Sequence, residues 1–271
     1  MSNLVKRIVT AAVLIPLVIA TIFLLPWTGT GTVFAIVLLA GAWEWSALAG
    51  WRTHARVAFV MVIALSIAGV GVAGYQWSLL ICALASVWWL YASVRVVLLQ
   101  RTRLWPRPSA ALWFVHGWAI LVPAWLALVE LHRSGPSGPA LVMLLMVIVW
   151  LADIGAYFAG RAFGRRKLAS NVSPGKTWEG ATGGALSALC AVIGYGLWQL
   201  PQQWALLLAL GTVTVIVSVF GDLTESAFKR ISGIKDSGGL LPGHGGILDR
   251  IDSLTAASPM FLLGAIGLGI T

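Results

Sequence analysis

Charge is what this sequence has least of. Only nine of 271 residues are acidic, eighteen are basic, and charged residues of all kinds make up 10% of the chain. So little charge excludes a disordered or solvating polypeptide. Cysteine is also scarce: Cys82 and Cys190 stand apart inside apolar runs. That excludes a disulfide framework and a cysteine zinc site. No internal repeat, low-complexity tract or linker marks a second domain, so residues 1–271 read as a single membrane-embedded domain.

What is there instead is apolar. Hydrophobic residues account for 59% of the chain and mean hydropathy is +0.91. The bilayer is therefore the solvent for most of the polypeptide. Nine uncharged runs are expected as spans. They lie near 8–27, 31–50, 57–74, 77–99, 110–131, 139–160, 181–200, 204–221 and 254–270. Each approaches the roughly 20 residues that cross a hydrocarbon core of about 30 Å. The first follows Lys6 and Arg7 and reads as an uncleaved span. The expected fold is thus all-α, a polytopic integral membrane protein of about nine transmembrane helices with a cytosolic N-terminus.

The basic residues set this orientation. With the N-terminus inside, every Lys and Arg except Arg133 falls on the cytosolic side. Topology and attraction to anionic lipid account for the net charge of +9, so no nucleic-acid partner is needed. Fifteen tryptophans include Trp27, Trp51, Trp77, Trp105, Trp178, Trp198 and Trp204 near span ends, where an aromatic belt belongs.

Against this background, residues 222–252 stand out, with five of the nine acids and four of the eighteen bases. If the eighth helix runs on to about residue 230, Asp222, Glu225, Ser226 and Lys229 share one face. Gly238, Gly239, Gly243, Gly245 and Gly246 then surround Pro242 and His244, a loop whose backbone N–H groups can approach an anion closely. Asp249 and Asp252, three apart, open the next helix. Such carboxylates suit a hard cation such as Mg²⁺, which also binds substrate phosphate. The competing reading is an ordinary cytosolic loop with capping acids. Three acids lie at span margins or interiors, Glu44, Asp153 and Asp222 itself, and require a polar environment, because a charge at a helix centre costs at least about 2.5 kcal/mol. Asp153 and Asp222 lie at similar depths and are expected to converge, whereas for Glu44 a structural hydrogen bond is as good an explanation as function.

A second polar segment, SPGKTWEG at Ser173–Gly180, lies between spans six and seven. It is not a P-loop, since Ser170 stands where that motif needs glycine. It reads as a turn entering a helix, with hydroxyls, a lysine and free N–H groups that suit a cap or an anion site alike.

The run Ser226, Lys229, Arg230, Lys235, Asp236, Pro242, His244, Gly245, Gly246, Asp249, Arg250 and Asp252 resembles the signature of the phosphatidate cytidylyltransferases, and residues 150–180 resemble the same family. The resemblance implies an enzyme that transfers CMP from CTP to phosphatidate, giving CDP-diacylglycerol and pyrophosphate for phospholipid biosynthesis. It further implies Asp222, Asp249, Lys229 and Asp252 as catalytic residues. Metal ligands are expected in Asp222 and Asp249, with Asp153 in support and Glu225, Asp236 and Asp252 as second choices. Contacts to triphosphate or phosphatidate are expected from Ser173, Lys176, Thr177, Glu179, Ser226, Arg230, Lys235 and Arg250. His244 either orients a phosphate or is incidental. The implied cofactor is Mg²⁺, one or two divalent ions, with room for an additional cation. The implied partners are CTP, phosphatidate and membrane lipids, in a multi-pass inner-membrane protein whose active site faces the cytosol. GxxxG spacing at Gly160/Gly164 and Gly180/Gly184 permits close helix packing and leaves a homodimer open. Two other functions are compatible with parts of this pattern. One is a CTP-dependent polyprenol kinase. The other is a transporter, which would place its charges near the midplane and show inverted repeats.

Overall fold

A computed structural model describes residues 3–72, 74–102, 106–240 and 245–271. Arg103, Trp105, Pro242, Gly243 and His244 therefore lie outside the described residues, as do the side chains of Lys6, Arg7 and Arg101.

In lipid every backbone N–H and C=O must be paired within the protein, so long apolar segments form helices. Among the described residues there are nine: α1 (Asn3–Leu24), α2 (Trp27–Leu48), α3 (Thr53–Val72), α4 (Tyr75–Thr102), α5 (Ala110–Arg133), α6 (Gly138–Phe163), α7 (Trp178–Gln199), α8 (Trp204–Ile231) and α9 (Leu248–Gly267). Seven of them, α2 to α8, are long and apolar enough to cross a membrane. The protein is an integral membrane protein.

Burial sorts these helices. In α5 every residue from Ala119 to His132 is buried, so this helix runs through the middle of the bundle. In α3 only Phe59, Ile63 and Ile67 are buried, a stripe at four-residue spacing that faces the bundle. α9 is buried continuously from Ile251 to Pro259. The helix begins at Leu248, six residues before the expected apolar run, with Leu248 buried and Arg250 exposed in its first turn. Trp27, Trp77, Trp178, Trp198 and Trp204 are exposed near helix ends, as a belt requires.

α6 and α7 make the most extensive helix pair. Small residues allow it: a side chain at Gly180 would come within 2.9 Å of the Ala156 carbonyl, and one at Gly155 within 2.8 Å of the Gly183 carbonyl. The glycine spacing expected to permit close packing thus acts within this chain.

One departure from an all-helical chain matters for the site. The segment expected as a turn before α7 contains a two-stranded antiparallel hairpin, β1 (Lys167–Ala169) and β2 (Ser173–Thr177), with Lys167 opposite Thr177 and Ala169 opposite Ser173. Ala169 and Val172 pack with Val96 of α4 and Leu223 and Ala227 of α8. Asn171 is tied to Gln100 of α4 at 2.7 and 3.1 Å, and Arg230 Nε donates to the Val172 carbonyl at 3.1 Å.

Candidate active site

At the end of the bundle where the hairpin docks, α6, β2, α7, α8 and the start of α9 enclose a cavity of about 610 Å³. It brings both sequence motifs together. Asp153 comes from α6, Ser173, Lys176 and Thr177 from β2, and Asp222, Ser226, Lys229 and Arg230 from α8. Lys235 and Asp236 reach it from the loop, and Asp249, Arg250 and Asp252 from α9. Val215, Val219, Ala181 and Ala185 form an apolar wall deeper in the bundle.

Two ionic groups organise the floor. Lys176 pairs with Asp222, whose Oδ1 accepts a hydrogen bond from Ser226 Oγ at 3.1 Å. Lys229 is 8% exposed and donates to Asp249 Oδ1 at 2.6 Å, with Glu225 Oε1 at 3.0 Å. The expected stripe on α8 is therefore split. Asp222, Ser226 and Lys229 line the cavity, whereas Glu225 is buried behind them and holds Lys229. Burying such charges is tolerable only when they are paired.

Asp249 does structural service as well. Its carboxylate accepts from Ser237 N at 3.0 Å and Gly246 N at 2.9 Å, so it gathers both ends of the glycine-rich loop onto the start of α9. Gly245 adopts φ +83°, a left-handed conformation that glycine takes without penalty. A second carboxylate holds the loop from outside the motifs. Glu44 of α2 is 3% exposed and accepts from Ser237 Oγ at 3.0 Å and Leu248 N at 2.8 Å. A Cβ at Gly246 would collide with both Ser237 and Glu44. The hydrogen-bonding explanation for Glu44 holds, and it places the residue directly behind the loop.

Glu179 does not line the cavity. Its side chain accepts from the backbone N–H groups of Arg165 (3.0 Å) and Arg166 (3.2 Å), closing the turn between α6 and β1. Thr177 caps α7, accepting from Gly180 N at 3.1 Å. Sequence reasoning does not single out Tyr157 and Arg161, which also line the cavity and are joined by a 3.0 Å hydrogen bond from Arg161 Nη1 to Tyr157 Oη. Arg161 is already accounted for by topology in the sequence, so only the fold exposes this role.

A cavity with lysines and arginines on its rim, carboxylates on three helices and an apolar inner wall suits a phosphate-rich molecule meeting an amphiphile. Residues 5–265 match the Cytidylyltransferase family. The chain belongs to that family. It is 47% identical over 277 residues to the phosphatidate cytidylyltransferase of Pseudomonas aeruginosa, an alignment covering 97% of this chain and 98% of the relative. It is 35% identical over 287 residues to the Haemophilus influenzae protein of the same name, covering 94% and 96%. The Brucella suis phosphatidate cytidylyltransferase is 40% identical over 278 residues, covering 98% and 95%. As a member of the cytidylyltransferase family this protein is an enzyme, a nucleotidyltransferase, and the cavity is its candidate active site.

Proposed function

We propose that the protein transfers CMP from CTP to phosphatidate, releasing pyrophosphate and forming CDP-diacylglycerol, at the cytosolic face of an inner membrane. The observation that supports this best is the cavity itself, where two separate motif segments bring Lys176, Arg230, Lys235 and Arg250 around Asp153, Asp222 and Asp252. The concentration of Lys and Arg at this end of the bundle supports a cytosolic orientation.

In the reaction a phosphate oxygen of the lipid bonds to the α-phosphorus of CTP while the bond from that phosphorus to the bridging oxygen breaks, and pyrophosphate leaves with its electron pair. Such a displacement depends mainly on positioning and on neutralising clustered negative charge. Lys176, Arg230, Lys235 and Arg250 receive the phosphates, and Lys229, held by Glu225 and Asp249, presents a fixed positive charge at the floor. The apolar wall at Val215 and Val219 and the exposed flank of α6 at Ile154 and Phe158 keep the diacylglycerol part in hydrocarbon.

Mg²⁺ fits the donor set, which is entirely hard carboxylate oxygen on the acidic side. Among the described residues no group of three or more His, Cys, Asp or Glu forms a ready metal cage. That suits an ion held by one or two carboxylates together with substrate phosphates. Asp222 and Asp153 would hold it, and Asp249 would join by releasing Lys229 to a phosphate. When bound it supplies charge neutralisation and polarises the phosphoryl group.

The deciding experiment uses purified protein in detergent with Mg²⁺, CTP and phosphatidate. The reading expects pyrophosphate release that depends on both lipid and metal, with CMP appearing on the lipid. CDP release with a polyprenol acceptor would replace it with a kinase, and absence of CTP turnover with either lipid would remove it.

A further inference from the structure

On the far side of α8 lies a second, smaller cavity of about 250 Å³, between α4, the start of α5 and the end of α8. We propose that it is a binding site for a phosphate-bearing amphiphile, separate from the active-site cavity. The inference does not depend on the substrate named above.

The first argument is charge. Arg95 and Arg107 line the cavity with His116, and no acidic residue lines it among the described residues. Arg95 takes part in no ion pair among the described residues. Arg107 spends one Nη on the Ala49 carbonyl at 3.0 Å, which leaves the rest of its fork available. The N-terminus of α5, capped by Ser109, opens onto the same space and adds the positive end of a 24-residue helix. Two arginines without a carboxylate beside them, next to apolar side chains, suit an anion.

The second argument is the wall. Val96, Leu99 and Ile231 are apolar, and Tyr91 and Leu112 border the cavity while more than half or half exposed on the lipid-facing exterior, at 53% and 50%. An acyl chain can leave between them without crossing a polar surface. A headgroup phosphate fits the volume.

The third is position. Thr224, Ala227, Phe228 and Ile231 face this cavity, and Asp222, Ser226 and Lys229 face the other, so one helix separates the two. Occupancy here braces the helix that carries the catalytic candidates.

The test is photolabelling in nanodiscs with a phosphatidylglycerol bearing a diazirine near the headgroup end of one chain, followed by peptide mapping. Labelling of residues 88–112 should be competed by unlabelled phosphatidylglycerol and not by phosphatidylcholine. It should fall about tenfold in Arg95→Gln and persist in Arg95→Lys, while labelling of α6 and α7 stays unchanged. Competition by millimolar inorganic phosphate as effective as that by the lipid would keep the anion site and overturn the amphiphile as its occupant. Equal competition by phosphatidylcholine, or full labelling in Arg95→Gln, would overturn the site altogether.

Discussion

Replacing Glu44 tests the site most sharply, because this residue belongs to neither motif. Its Oε2 receives Ser237 Oγ and Leu248 N, at 3.0 and 2.8 Å, in a setting 3% exposed. A hydrogen bond to a charged group contributes about 1.5–3 kcal/mol, and a buried donor left without a partner costs a similar amount. Glu44→Leu should therefore destabilise the protein by about 3–6 kcal/mol, whereas Glu44→Gln, which keeps a carbonyl acceptor, should cost about 1–2 kcal/mol. The loss falls on the loop that also feeds two N–H groups to Asp249. Turnover should thus fall in both variants, mostly through kcat, since the loop positions Asp249 and Lys229. The assay pairs thermal unfolding in detergent with CTP-dependent pyrophosphate release at saturating lipid. An unfolding midpoint and a kcat unchanged in Glu44→Leu would refute the reasoning.

Other variants probe the remaining parts. Lys229→Met leaves Asp249 and Glu225 buried without their cation, and should cost about 3–5 kcal/mol, read as a lower unfolding midpoint together with lost turnover. Asp222→Asn keeps the shape of a half-buried group; turnover should drop by about 10²-fold or more while membrane insertion and the unfolding midpoint hold. Gly184→Leu forces a side chain against the Ala152 backbone at the α6–α7 crossing, and should destabilise by about 1–3 kcal/mol. Chelation by EDTA should stop pyrophosphate release and added Mg²⁺ should restore it, measured in the same assay.

The helices of this protein are legible in its sequence because a span needs only length and apolarity: the nine runs match nine helices among the described residues, most edges a few residues off, with α8 running ten residues past its apolar run as the polar stripe requires. The discrepancy at the start of α9 has a physical reason. Asp249 and Asp252 are polar yet packed against protein, and Arg250 is exposed, so hydropathy underestimates the helix. The hairpin is invisible because strands of three and five residues, one containing Pro174 and Gly175, show no period-two pattern. The site is legible as two dense motifs, and the fold brings most of their charged residues to one cavity. Glu44 is legible only as an anomaly, since its partners lie 193 and 204 residues away. Glu179 shows the opposite limit: it sits within a motif, and its carboxylate is spent on closing a turn.

The length of α8 carries a consequence of its own. At 28 residues it is about 42 Å long, against a hydrocarbon core of about 30 Å. Measured from Trp204, an anchor at one interface, Asp222 comes about 27 Å along the axis and Arg230 about 39 Å. With Trp204 at one interface and the helix upright, this length would act as a ruler, setting the carboxylate near the far edge of the hydrocarbon and the arginine beyond it, toward the headgroups. A lipid phosphate rests at that level unaided, so the headgroup and its catalyst meet without lifting acyl chains from the bilayer. A bilayer of different thickness would change that alignment, and turnover should follow membrane thickness as well as composition.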